Sequence, residues 1–352
     1  MTPPTPQRLE LREQMAELPL VAPTGQREPV MQLQGRALGV NTGIPLNLDW
    51  IDGVRINTSA VERRAATLLA RRTVKKDWQV AWLLRAITCM DLTTLAGDDS
   101  DERVRRLCAK AMQPVSGSVK ALLGIDELPV KVAAVCVYHL FVETARRALR
   151  GTPIRVAAVS AGFPAGLNAL TERLAEIRHS VEAGADEIDV VITRAHVFAG
   201  EWQRLYDEVA AFKEACGKAH CKVILGSGDL ETLRNVARAS LVAMMAGADF
   251  IKTSTGKEAV NATLPVGLVM ARAIREYCER TGMAVGFKPA GGFRSARQSL
   301  DWLALMKEEL GQGWLEPRLF RIGASSMLGD IERQLEFHGS GRYSASYHHP
   351  LA

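Results

Sequence analysis

Residues 187–226 carry the unit from which the fold is read: Glu187-Ile-Asp-Val-Val-Ile192, then the amphipathic stretch 202–216, then Lys222-Val-Ile-Leu-Gly226. The outer two runs are short, aliphatic and β-branched, without strict in/out alternation. That pattern suits parallel strands covered on both faces, and the middle stretch is long enough for a crossover helix. Working outward, similar runs recur at 87–92, 132–138, 155–161, 250–253, 284–288 and 319–324. Amphipathic stretches separate them at 101–112, 169–183, 230–246, 262–281 and 295–310, the last opening on a Ser295-Ala-Arg-Gln298 capping box. Eight βα units over roughly 250 residues predict a (β/α)8 TIM barrel. An open doubly wound sheet would usually have fewer strands and a glycine-rich nucleotide turn after the first one, where this chain has Thr93-Thr94-Leu95-Ala96-Gly97.

Around this core, seven of the fifteen prolines fall in the first 45 residues, so residues 1–47 read as a Pro-rich mobile extension. Ser59-Ala-Val-Glu62 has the form of a capping box, and two helices over 60–72 and 76–87 should cover the barrel's base. The barrel then occupies 48–340, and 341–352 forms a polar tail. With 47% hydrophobic residues, 24% charged residues and a net charge of +5 spread along the chain, the composition is that of a globular protein and calls for no nucleic-acid partner. No apolar stretch reaches the ~20 residues of a membrane span, and nothing resembles a signal or transit peptide, so the expected setting is the cytoplasm. Six cysteines without a CxxC pair read as free, mostly buried thiols. The histidines lack metal-binding spacing, so no metal and no cofactor is inferred.

The chemistry is sought at the strand ends. Asp189 is a carboxylate inside an aliphatic strand and must face a cation or dense hydrogen bonding. Alone it could be a structural ion pair. Lys252 ends one apolar run and Lys288 ends the next; singly each could be a solvated strand terminus, but two on consecutive strands opposite an internal carboxylate suggest amine catalysis. A lysine attacks a carbonyl only as the neutral amine, a form held by about one molecule in 2,500 at pH 7 for an unperturbed pKa of ~10.4. A second ammonium and a water-poor barrel mouth can bias it toward that form, and the resulting imine is an electron sink. Beyond the seventh and eighth strands, Pro289-Ala-Gly-Gly292-Phe-Arg294 and Arg321-Ile-Gly323-Ala-Ser325-Ser326 combine freed amides, hydroxyls and a helix N-terminus, which suits a phosphate. Thr253-Ser254-Thr255-Gly256-Lys257 adds donors and a cation. Cys136 reads as a buried thiol rather than a nucleophile.

The segments Met90-Asp-Leu-Thr-Thr-Leu95, Ala134-Val-Cys-Val-Tyr138, Ala161-Gly-Phe-Pro-Ala-Gly166, Glu187-Ile-Asp-Val-Val191, Phe250-Ile-Lys-Thr-Ser-Thr-Gly-Lys257, Gly286-Phe-Lys-Pro-Ala-Gly-Gly292 and Arg321-Ile-Gly-Ala-Ser-Ser326 closely resemble the deoxyribose-phosphate aldolases. Ala70-Arg-Arg-Thr-Val-Lys-Lys76 resembles their longer, animal form. The resemblance implies a class I aldolase that reversibly cleaves 2-deoxy-D-ribose 5-phosphate into D-glyceraldehyde 3-phosphate and acetaldehyde, in deoxynucleoside catabolism. It further implies that Lys252 forms the Schiff base, Lys288 perturbs it and Asp189 relays protons. By the same resemblance Asp91 and Cys136 line the substrate pocket, while Thr255, Gly256, Lys257, Gly291, Gly292, Gly323, Ser325 and Ser326 form the phosphate region.

Some positions depart from the family pattern: His139 stands where proline is usual, and Leu225-Gly-Ser-Gly-Asp-Leu230 replaces a Glu/Ala-Thr-Gly-Glu-Leu run, which puts Gly226 and Ser227 at the mouth. Another imine-forming barrel aldolase, or an impaired barrel that only binds sugar phosphates, is the alternative reading; a homo-oligomer is possible under either. The tail is long enough to double back about 20 Å to the mouth. Tyr343 or Tyr347, a C-terminal tyrosine as in the family, would then assist proton transfer at the acetaldehyde methyl carbon.

Overall fold

The computed structural model describes residues 31–33, 35–71 and 73–350. Eight parallel strands form its centre: β1 Met90–Thr93, β2 Ala134–Tyr138, β3 Arg155–Ser160, β4 Glu187–Val191, β5 His220–Ile224, β6 Phe250–Lys252, β7 Gly286–Lys288 and β8 Ile322–Gly323. Their order around the sheet is β7-β6-β5-β4-β3-β2-β1-β8. Bridges from Phe287 to Phe320 and from Ala290 to Gly323 join the two ends, closing the barrel that the βα alternation predicts.

Each strand has two differently used faces. Met90, Leu92, Val135, Val137, Ile188, Val190, Cys221 and Val223 belong to the large apolar core between strands and helices. Their neighbours, Asp91, Cys136, Glu187, Asp189, Lys222, Lys252 and Lys288, alternate with them along the strands and are fully or almost fully buried. The runs look apolar throughout only because so few positions face the axis.

The helices are α1 Leu48–Gly53, α2 Thr58–Arg71, α3 Lys76–Thr88, α4 Asp101–Met112, α5 Gly117–Leu123, α6 Val142–Ala148, α7 Leu170–Glu182, α8 Arg194–Ala199, α9 Trp202–Cys216, α10 Leu233–Met245, α11 Leu264–Thr281, α12 Ala296–Leu310 and α13 Ser326–Ser340. Several begin where a hydroxyl accepts an otherwise unpaired amide: Ser100 from Arg103, Thr232 from Asn235, Thr263 from Val266, and Ser295 in the expected reciprocal box with Gln298.

Three local expectations need correction. The cap of α2 is Asn57, whose Oδ1 accepts from the Ala60 amide at 3.0 Å, rather than Ser59, which lies inside the helix. Ile87 and Thr88 belong to α3, and β1 starts at Met90; a continuous apolar run carries no mark where helix gives way to strand. The leading helices α2 and α3 pack along α11, α12 and α13 in the outer layer, where a base-covering role was expected.

The extension expected over 1–47 lies outside the described residues for 1–30. Over 38–47 the chain is held at the barrel base: Gly39–Val40 pairs with Met283–Ala284 just before β7, and the buried Asn41 accepts from the Tyr277 hydroxyl at 2.9 Å. Among the described residues no helix is long and apolar enough to cross a membrane. All six cysteines are free and buried.

Candidate active site

Inward alternation along β1, β4, β5, β6, β7 and the chain entering β8 gathers seven charged side chains on the barrel axis. Strand register sets their order. Lys288 on β7 lies level with Lys252 on β6, and Asp91 on β1 lies level with Gly323 on β8. Both lysines donate to the same oxygen of Asp189, Oδ2, each at 2.7 Å. Lys288 also meets Asp91 Oδ2 at 2.5 Å.

One inward step closer to the base sit Glu187, Lys222 and Arg321. Arg321 donates to Asp91 Oδ1 at 2.7 Å and to Glu187 Oε1 at 2.7 Å, while Lys222 donates to Glu187 and stands 3.6 Å from Asp189 Oδ1.

Burial by itself would neutralise these carboxyls, yet the facing cations win. Burial raises the Asp189 carboxyl, but Lys252, Lys288 and Lys222 hold it well below the usual carboxylate range. Asp91 is likewise pulled down against burial by Lys288, Arg321 and Lys222, and Glu187 by Arg321, Lys222 and Arg155. For Lys288, burial favours the neutral amine, but Asp189 and Asp91 outweigh it and hold the group above its ordinary value. The lysine with two carboxylates therefore keeps its proton. Lys252 shares its single carboxylate oxygen with that ammonium.

Beside the charged cluster, Leu95, Cys136, Ala157 and Val159 form a small separate apolar group, with Tyr138 and Phe163 packed on it. It gives the axial site one dry wall. Burial pushes the Cys136 thiol up, which keeps it protonated and fits the expectation that it is no nucleophile.

Several residues of the expected anion region hold one another in place. The amides of Thr255 and Gly256 donate to the carboxylate of Glu258, at 2.9 and 3.1 Å, and the Thr255 hydroxyl reaches it at 2.7 Å. The Lys257 ammonium donates to the Leu95 carbonyl at 2.9 Å, and Ser325 bridges to the Thr93 backbone. The Ser326 hydroxyl donates to the Phe293 carbonyl at 3.1 Å at the start of α13, and Gly291 and Gly292 take positive φ in the loop after β7. Gly291 has φ +83°, and a Cβ there would sit 2.5 Å from Asn261 Oδ1; at Gly323 a Cβ would lie 2.9 Å from Ala290 Cβ, so glycine allows the close approach of these two loops.

Against known proteins, the model of the DeoC/LacD family aldolases matches residues 85–325, which span all eight barrel strands. The chain belongs to this family. It is 56% identical over 314 residues to the human deoxyribose-phosphate aldolase, covering 89% of this chain and 99% of that one, and 57% identical over 312 residues to the mouse protein, covering 88% and 98%. Among solved structures, a putative deoxyribose-phosphate aldolase from Toxoplasma gondii superposes with a TM-score of 0.64 at 23% identity, covering 76% of this chain and 98% of that one. One from Coccidioides immitis gives 0.58 at 21% identity, covering 78% and 98%. These two likenesses support the fold.

In this aldolase the departures from the family pattern fall at the rim. His139 Nδ1 stands 3.4 Å from Glu176, whose carboxylate also accepts from the Gly162 amide. At Gly226 the Arg194 side chain lies where a Cβ would be, 2.9 Å away, and Arg194 in turn meets Asp229 at 3.4 Å. Ser227 is anchored through its amide to the Thr253 carbonyl at 2.8 Å.

The tail does double back along α13, but it is His349 whose backbone reaches Gly329 near the mouth. Tyr343 stacks on Phe337 at 4.3 Å and donates to Gln334, and Tyr347 is 77% exposed. Neither expected tyrosine stands at the cluster, because stacking on the helix holds the first and solvent the second.

Sequence reasoning missed Glu187, Lys222, Arg321 and Glu258. Charged residues at the start of a strand look like its solvated end, and only Glu187 carried a signal, through its i, i+2 spacing to Asp189.

Proposed function

We propose that this aldolase reversibly cleaves 2-deoxy-D-ribose 5-phosphate to D-glyceraldehyde 3-phosphate and acetaldehyde through an imine on Lys252. The observation that carries the reading is the pair of level lysines, Lys252 and Lys288, sharing Oδ2 of Asp189 at 2.7 Å each in a buried site. Its substrate rests on the names of the human and mouse relatives. As the neutral amine, Lys252 adds to the aldehyde carbon of the open-chain sugar, and loss of water leaves a protonated imine. A base removes the proton of the 3-hydroxyl, the bond between carbons 2 and 3 breaks, and its electron pair moves into the imine to give an enamine. Glyceraldehyde 3-phosphate leaves; protonation of the enamine carbon and hydrolysis release acetaldehyde. Asp189 and Lys288 exchange these protons as a hydrogen-bonded pair, with Lys288 returning to its charged form after each transfer. Asp91 holds Lys288, Cys136 lines the apolar wall, and Gly291, Gly292 and Ser326 take the phosphate.

The proposed setting is the cytoplasm, in keeping with six free thiols, where the enzyme would consume sugar phosphate released from deoxynucleosides. An assembly of several copies is part of the reading: the solved aldolase from Aeropyrum pernix is described as tetrameric, and sedimentation of the purified protein would settle the state here.

The deciding experiment adds borohydride to protein and acetaldehyde. A stable mass increment should appear on the peptide containing Lys252, and label on Lys288 alone would reverse the assignment. Lys252→Arg should abolish turnover in a coupled glyceraldehyde 3-phosphate assay, since guanidinium stays protonated and cannot add to a carbonyl.

A further inference from the structure

The layer beneath the two lysines is built from charged groups. Among the described residues, the fully buried part of the axial cluster contains four cations, Lys222, Lys252, Lys288 and Arg321, against three carboxylates, Asp91, Glu187 and Asp189. Every one of them is at most 3% exposed. With all groups ionised, the interior carries one surplus positive charge, which a dry site tolerates poorly. Losing one proton balances it. Arg321 cannot lose one, and it is pinned between Asp91 and Glu187. Lys288 is held by two carboxylates. Lys222 donates to Glu187 and faces Asp189, whereas among the described residues Lys252 meets the oxygen it shares with Lys288 and no second carboxylate.

We propose that Lys222 is a positioning residue for the imine chemistry: it is the fourth cation, and its charge makes the neutral, nucleophilic form of Lys252 the electrically balanced one. The inference rests on the reading that Lys252 carries the imine. Arg321 and Asp91 then lock Lys288 in place from below and from the side.

The other groups facing this layer leave the count unchanged. Arg155 stands 3.5 Å from Glu187, but its side chain is 38% exposed and screened by solvent. His220, beside Arg155 at 3.4 Å, is held toward its neutral form by burial. Burial likewise keeps Cys136 a thiol, and the Phe250 ring, 5.5 Å from Lys222, carries no charge.

The test is the pH dependence of borohydride trapping with acetaldehyde in the full-length protein. In the unsubstituted enzyme the rate should fall on the acid side as Lys252 gains its proton. Lys222→Met leaves three cations facing three carboxylates, so Lys252 keeps its proton and the acid limb should move up by about one to two pH units. Glu187→Gln adds to the surplus and should move the limb down by a similar amount. The double variant should return it toward the original position, and Lys222→Arg should leave it near there. Single variants that lower the rate at every pH without moving the limb would overturn the proposal, because a merely structural layer predicts that result. If Lys222→Met does not fold, Glu187→Gln decides alone, and an unmoved limb refutes the idea. Absence of label on Lys252 in the unsubstituted enzyme would instead refute the imine assignment, independently of any variant.

Discussion

Replacing Asp189 with asparagine keeps its shape and removes one negative charge from the centre of the cluster. The carboxylate is fully buried, accepts from the amino groups of Lys252 and Lys288 at 2.7 Å each and faces Lys222 at 3.6 Å. Removing one partner of a buried ion pair costs about 3–5 kcal/mol, and here two lysines lose their shared acceptor, so the upper part of that range is expected at neutral pH. The loss must also depend on pH. In the variant the buried cations are driven to release protons that the unfolded chain still binds, so stability rises with pH and the deficit shrinks toward pH 9. In the parent protein the Asp189 carboxyl is held below its ordinary range, so its contribution is complete above the usual carboxylate pKa of ~4 and is lost as pH falls through the depressed value. Urea unfolding of both proteins at pH 6, 7.5 and 9, followed by the fluorescence of the six tryptophans, measures the difference. A deficit below about 1 kcal/mol, or one equal at all three pH values, would refute the claim that Asp189 is the counter-ion of the lysine pair.

Three further outcomes follow from other parts of the molecule. Ser326→Asp places a negative charge on the first turn of α13, which suits the helix dipole but repels a bound phosphate. Its KM for deoxyribose 5-phosphate should rise at least about tenfold while acetaldehyde trapping at Lys252 is unchanged; equal losses in both would show a damaged mouth instead. Gly267→Ala would set a Cβ 2.2 Å from the Trp302 ring, between α11 and α12, and should cost about 1–3 kcal/mol in urea unfolding with kcat retained. Deleting residues 342–352 removes the His349 contact to Glu336 at 2.8 Å and the Ser344 carbonyl that accepts from Arg333 at 3.0 Å. A stability loss of about 1–2 kcal/mol with trapping unchanged is expected, and slower exchange of the acetaldehyde methyl protons would show that the tail carries more than packing.

The sequence by itself determined the barrel, the pair of lysines and the carboxylate opposite them. Apolar β-branched runs separated by helical stretches leave little choice of architecture, and a lysine or aspartate inside such a run stands out because its neighbours are aliphatic. The Ser295 capping box was legible for the same reason: its signal lies within four residues, and the structure shows both of its reciprocal bonds. Tertiary structure alone decided what lies between elements distant in the chain. Glu187, Lys222 and Arg321 become one charged layer only through the register of β4, β5 and the chain entering β8, since each by itself resembles a solvated strand end. Glu258 reads as an ordinary loop residue until its carboxylate is seen on the amides of Thr255 and Gly256. Which lysine has a second carboxylate was also beyond spacing, because Asp91 is 197 residues from the lysine it holds, a separation the closed barrel reduces to 2.5 Å.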